Sequence, residues 1–215
     1  SNNNGLLSGE ANDVVCTNDG ALWIATYAGL YRYNGSDFQY MNSFDTIKNA
    51  NDLYIDEEGR LWIGTNDDGL SLYINNEITN TLNSDSGLPS NSVRSIVRHA
   101  DGNYYVGTSE SLAIVTISGG LKIIKIIPQI QYASDLAADA SGHIAAVTSS
   151  GDLFLMQGEK ITDQINSLDG NVYHTSCFFD HTGNLYVGTD QSEVKVYSVV
   201  DDMLKLDHVI SLKNM

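Results

Sequence analysis

Three aspartates, Asp13, Asp52 and Asp135, stand in near-identical surroundings, "ANDV", "ANDL" and "ASDL". Carboxylates recurring in one context can accept hydrogen bonds from a polyol ligand or from neighbouring backbone, and the sequence leaves both readings open. Arg94, in the related segment "VRSI", is the one basic residue at such a position. It is placed either to neutralise the acids or to bind an acidic ligand. Acid–base catalysis needs a base and an acid converging on one point, and His174 with Glu110 or Glu193 is the trio available. Metal chemistry finds less support. The turns "NDG", "EEG", "ADG", "ASG" and "HTG" lack the ligand density of a calcium loop, and no histidine pair has metal-ligand spacing. No metal or cofactor is therefore expected. Cys16 and Cys177 read as small buried apolar residues, and His99, His143 and His181 as surface residues of turns.

Those residues are positioned by a repeat. The glycines Gly20, Gly59, Gly102, Gly142 and Gly183 are separated by 39, 43, 40 and 41 residues, and six residues after each stands a threonine. Between them run "ALWIAT", "RLWIGT", "NYYVGT", "HIAAVT" and "NLYVGT". Nine residues before each glycine begin "ANDV", "ANDL", "VRSI", "ASDL" and "HTSC". Fifteen residues before Gly20 and Gly102 stand "GLLS" at Gly5 and "GLPS" at Gly87. Each unit continues with a third apolar run, such as "GLYRY" or "GLSLY", and a more variable fourth, such as "LKIIKII".

Four short β-rich runs in about 41 residues, with turn signals between them and no helical period, predict an all-β fold built of propeller blades. Five four-stranded blades are visible, over about 11–49, 50–92, 93–132, 133–173 and 174–215, as one propeller domain or a piece of a larger one. Middle strands are apolar on both parities, as burial on two faces requires: Leu61 and Ile63 point one way and Trp62 the other. Gly64, Gly107 and Gly188, with Ala25 in the first unit, mark places where a neighbouring blade comes close. Pro89 and Pro128 fall in connections between units.

The bulk numbers narrow the function. Eleven basic against 27 acidic residues give a formal charge of -16, which removes the electrostatic basis for binding nucleic acid or an anionic membrane surface. The most apolar run, "LKIIKIIPQI", is too short to span a bilayer and carries Lys122 and Lys125. The opening "SNNNGLLSGE" has no apolar core of a signal peptide.

The stretch "GLPSNSVRSIV" followed by "DGNYYVGT", with "LWIGTNDDGLSLY" at 61–73, resembles the two-component regulator propeller repeat, and the likeness runs from Gly5 to about Val200. The resemblance implies a non-catalytic sensor: an extracytoplasmic input propeller, usually of seven blades, in a membrane-tethered bacterial receptor with a kinase or cyclase output. Many members respond to polysaccharide fragments, so an oligosaccharide or other small ligand is the expected partner. The chain departs from the pattern in showing five blades and no output module.

In such a fold, loops leading into the inner strand share one face with loops between the second and third strands, and ligands are expected there. The candidate ligand-binding residues are Asp13, Tyr27, Asp52, Asn66, Asp67, Arg94, Glu110, Tyr132, Asp135, His174 and Asp190. A propeller lyase or glycan-degrading enzyme, and a protein-interaction scaffold, are the alternatives to a sensor. Open end blades would favour a homodimer, and a closed set of five a monomer.

Overall fold

The computed structural model describes residues 10–41 and 47–212; the "GLLS" segment at Gly5 lies outside them. They form five four-stranded antiparallel sheets, each in simple meander order. Blade one holds β1 (Asp13–Cys16), β2 (Leu22–Thr26), β3 (Gly29–Tyr33) and β4 (Phe38–Tyr40). Blade two holds β5 (Ala50–Ile55), β6 (Leu61–Thr65), β7 (Leu70–Ile74) and β8 (Glu77–Leu82). Blade three holds β9 (Val93–Arg98), β10 (Tyr104–Thr108), β11 (Leu112–Ile117) and β12 (Leu121–Ile127). Blade four holds β13 (Ala133–Ala138), β14 (His143–Thr148), β15 (Leu153–Gln157) and β16 (Lys160–Ile165). Blade five holds β17 (His174–Phe179), β18 (Leu185–Thr189), β19 (Glu193–Val200) and β20 (Met203–Ser211). A short helix, α1 (Ser167–Gly170), lies between the last two blades.

The two fixed residues of the repeat each have a geometric reason. Every turn glycine has positive φ, from 76° at Gly59 to 90° at Gly102, a backbone region that a side chain disfavours. Every threonine folds its hydroxyl back across the next loop. Thr26, Thr65, Thr108 and Thr189 donate to the carbonyls of Gly29, Gly69, Ser111 and Glu193 at 2.7–3.2 Å. The loop between second and third strands is thereby closed the same way in blade after blade.

Packing between blades is apolar and strictly sequential. Leu61 and Ile63 join Trp23 and Leu53 between blades one and two, while Trp62 faces Tyr104 and Val106 between blades two and three. Tyr105, Ile144 and Phe154 fill the next interface, and Ala145, Leu155 and Val187 the last. The small residues sit at the closest approaches. A Cβ on Gly64 would lie 2.6 Å from Val93 Cγ1, and one on Gly107 would lie 2.7 Å from the Ala133 carbonyl oxygen. Ala25, at the corresponding place in blade one, is fully buried.

Four apolar cores thus serve five blades, and among the described residues no such cluster joins blade five to blade one. Val14 on β1 and Phe178 on β17 are 54% and 65% exposed. Among the described residues the blades form an open arc.

Two expectations about burial fail. Cys16 is exposed, because among the described residues no blade packs on the outward side of β1, whereas Cys177 is buried. His99 and His143 are buried rather than on the surface, because each turn leans on the next blade. His99 Nε2 lies 2.8 Å from the Gly142 carbonyl oxygen. His143 is held between Asp139 at 2.8 Å and Asp202 of blade five at 3.1 Å. Burial disfavours charge on that imidazole, but the two carboxylates outweigh it and raise its pKa. His181 is exposed as expected.

Candidate functional site

Four equivalent hydrogen bonds define the axial face. The N–H of Asn66, Ser109, Ser149 and Asp190, each just after a repeat threonine, donates to the carbonyl of Asn49, Ser92, Tyr132 and Tyr173 at 2.9–3.0 Å. Each acceptor stands immediately before an inner strand. The two sets of loops therefore lie side by side, as the repeat predicts.

Within this face the three aspartates turn inward to the fold. Asp13 accepts from the Leu53 N–H and Asp135 from the Cys177 N–H, both at 2.8 Å and both on the next blade. Asp52 accepts from the Ile96 backbone in the same manner. The preceding asparagines add a second tie: Asn12 Nδ2 donates to the Ala50 carbonyl at 2.7 Å and Asn51 Nδ2 to the Val93 carbonyl at 3.0 Å. In blade three, where serine replaces aspartate, Ser95 Oγ donates to the Ala133 carbonyl at 3.1 Å. All three aspartates thus make the inter-blade bonds that one of the two readings expects.

The ladder crowds charge near the axis. Burial, followed by the nearby carboxylates of Asp13 and Asp135, raises the Asp52 pKa well above the ordinary carboxylate value. Asp135 is also raised, mainly by burial, against the opposing pull of its hydrogen bonds to Cys177 and Leu136. Among the described residues no group of three His, Cys, Asp or Glu side chains is arranged to hold a metal ion.

Arg94 is set apart from this ladder. Its guanidinium lies 5.0 Å from the centre of the Tyr132 ring, a cation–π contact between the inner strand of blade three and the loop leading into blade four. Its Nε is buried without a hydrogen-bond partner, and no salt bridge to a carboxylate forms among the described residues. Tyr132 is held there by a left-handed backbone, φ 49°.

The other candidates divide. Asn66 and Asp67 converge on Asn49, with Asn66 Nδ2 donating to Asn49 Oδ1 and Asn49 Nδ2 to Asp67 Oδ2, each at 2.9 Å. Asp190 accepts from the Tyr173 N–H at 3.0 Å. Tyr27 and Glu110 are exposed. His174 is buried, its Nδ1 2.7 Å from the Gly151 carbonyl oxygen, and burial lowers its pKa. Among the described residues it forms no hydrogen bond with Glu110 or Glu193. Sequence reasoning missed Asn49 and Tyr173, which share with Tyr132 the position ten residues before the turn glycine. That register was available to mark them.

The family model described as "Two component regulator propeller" matches residues 46–67 and 87–110. The chain carries two-component regulator propeller repeats. The first match holds Asn49, Asp52 and Asn66, and the second Arg94 and Glu110, so the repeat itself supplies much of the axial face.

Among solved structures, these propeller blades are similar to the extracellular domains of two hybrid two-component systems of B. thetaiotaomicron. For BT3049 the identity is 18% and the TM-score 0.53, covering 92% of this chain and 34% of that one. For BT4673 the identity is 20% and the TM-score 0.59, covering 99% and 35%. A virginiamycin B lyase from Staphylococcus aureus has a TM-score of 0.72 at 10% identity, covering 94% of this chain and 69% of the lyase. At these identities the likeness is one of fold. The chain spans about a third of the length of the two extracellular domains. No protein of curated function matches it in sequence, and no helix among the described residues is long and apolar enough to cross a membrane.

Proposed function

We propose that the chain is part of a non-catalytic sensing propeller of an extracytoplasmic bacterial receptor, and that its axial face binds a saccharide bearing an acidic group. The observation that carries this reading is Arg94. In a chain with 27 acidic residues, a guanidinium set over Tyr132 and without a carboxylate partner among the described residues is an available anion receptor on the axial face. Tyr132, Asn66, Glu110 and Tyr27 supply the apolar surface and hydrogen-bonding groups that a polyhydroxylated ligand uses. The repeat family and the likeness to extracellular domains of two-component systems support the extracytoplasmic setting.

The burial of His174, the histidine that a lyase reading would use as its base, and the lowering of its pKa by that burial favour the non-catalytic reading. The test is a thermal-shift screen of acidic and neutral oligosaccharides against the wild type and Arg94→Met. A ligand at about 100 times its Kd stabilises by roughly 2.7 kcal/mol, a Tm rise of roughly 5–10 °C for a chain of this size. Acidic sugars should give that rise in the wild type and lose most of it in Arg94→Met. Equal stabilisation of both proteins, or none across the panel, overturns the proposal.

A further inference from the structure

On the face opposite the axial loops, blades one and two meet along a cleft of about 280 Å³, walled by Trp23, Arg32, Tyr73 and the Asn75–Asn76 turn. The corresponding junction between blades two and three shows what such walls hold. There the Asp56 carboxylate, with a fully buried side chain, accepts from Trp62 Nε1 at 2.9 Å, Arg60 Nε at 2.6 Å and Tyr104 Oη at 2.8 Å. Burial opposes its ionisation, and those hydrogen bonds outweigh burial and lower its pKa. The Trp62 and Tyr104 rings stack with centroids 3.7 Å apart.

Blade one keeps the tryptophan and loses the carboxylate. In the register of the repeat, Thr17 stands for Asp56 and Ala21 for Arg60, while Trp23 stands for Trp62. The Thr17 hydroxyl bonds Asp19 and lies 3.0 Å from the Ala21 carbonyl, and it does not reach the indole. The Trp23 N–H makes no hydrogen bond among the described residues, in contrast to that of Trp62. A guanidinium arrives from a different strand: Arg32 of β3 lies 5.9 Å from the Trp23 ring centre, with one nitrogen paired to Asp19 at 2.9 Å on the exposed rim. Tyr73 meets Trp23 edge-on, ring centres 5.0 Å apart, and closes the far wall.

We infer that this cleft is a second ligand site, which takes a carboxylate from outside the chain where its neighbour takes the carboxylate of Asp56. An indole N–H and a guanidinium that still has unused donors are two of the three groups that hold the internal carboxylate next door, the third place, that of Tyr104, being taken here by Leu61. The volume admits a body the size of one sugar ring or one amino acid, so the ligand class is a small carboxylate-bearing molecule such as a uronate unit. The site is independent of Arg94 and lies on the other face.

The two tryptophans of the chain give the experiment its readout. Each indole N–H yields one proton–nitrogen correlation, assigned with Trp23→Phe. Sodium glucuronate, with acetate as the bare carboxylate and glucose as the neutral sugar, is titrated to about 50 mM, where even a Kd of ~10 mM registers. Glucuronate should move the Trp23 signal saturably and leave that of Trp62 in place, glucose should move neither, and Arg32→Met should weaken the response at least tenfold. A second variant, Thr17→Asp, installs the missing carboxylate; it should shift the Trp23 signal without ligand and abolish the response to glucuronate. A silent Trp23 signal, an equal response to glucose, or an unchanged titration in Arg32→Met overturns the inference.

Discussion

The carboxylate of Asp13 accepts a hydrogen bond from the backbone N–H of Leu53, 40 residues further along the chain and one blade away. Asp135 does the same for Cys177 across 42 residues. Each bond satisfies a backbone donor that would otherwise be orphaned between blades. Replacing Asp13 or Asp135 by alanine should therefore destabilise the fold by about 1–3 kcal/mol, as expected for leaving a partly buried backbone donor unsatisfied. Urea melts of the two single variants measure this, and unchanged midpoints would show that the ladder carries no stability.

Asp52 behaves differently because its carboxylate is crowded. Its pKa is raised in the fold by burial and by Asp13 and Asp135, so the folded state binds a proton more tightly than the unfolded chain. Stability from this group is then greatest below the unfolded value of about 3.9 and declines as pH rises through the raised folded value. Asp52→Asn keeps an acceptor for Ile96 and removes the charge. It should raise Tm at pH 7, with a gain that shrinks towards pH 4. A gain independent of pH would place the effect elsewhere.

Gly107 and Gly64 occupy one register but face different neighbours. A methyl at Gly107 meets a backbone oxygen, that of Ala133, at 2.7 Å, whereas at Gly64 it meets a side-chain methyl of Val93. Gly107→Ala should lower stability by about 1–3 kcal/mol, the usual range for overpacking, and by more than Gly64→Ala. Thermal denaturation of both variants orders them, and the reverse order would refute the packing argument.

Much of the fold was legible because its rules are local. A turn that needs positive φ demands glycine, and a loop closed by a hydroxyl demands threonine, so Gly59 and Thr65 recur at fixed distance in every unit. The opposite facing of Trp62 and Ile63 followed from strand parity alone. Burial at the turns was not legible, since nothing near His143 in sequence indicates that Asp202 reaches it from the next blade. The exposure of Cys16 likewise depends on what does not pack against β1. Within the candidate site, types and face were readable, but the inward turn of Asp13 and the burial of His174 depend on side-chain direction. Strand pattern does not encode that. The cleft beside Trp23 was hidden for a further reason: it arises from a difference between two repeats, and an eye trained on what repeats passes over it.

The open arc has a consequence for how the molecule is assembled. Among the described residues each blade packs on the next through one apolar core, with side-chain-to-backbone ties spanning 38 to 43 residues. Such an object behaves as a one-dimensional array, whose stability is a sum of unit terms and nearest-neighbour couplings. Duplicating a unit adds one coupling of a kind already present and asks for no new long-range solution. The same grammar also leaves each junction free to diverge, which is how one cleft can keep its carboxylate in the chain while the next leaves the place open.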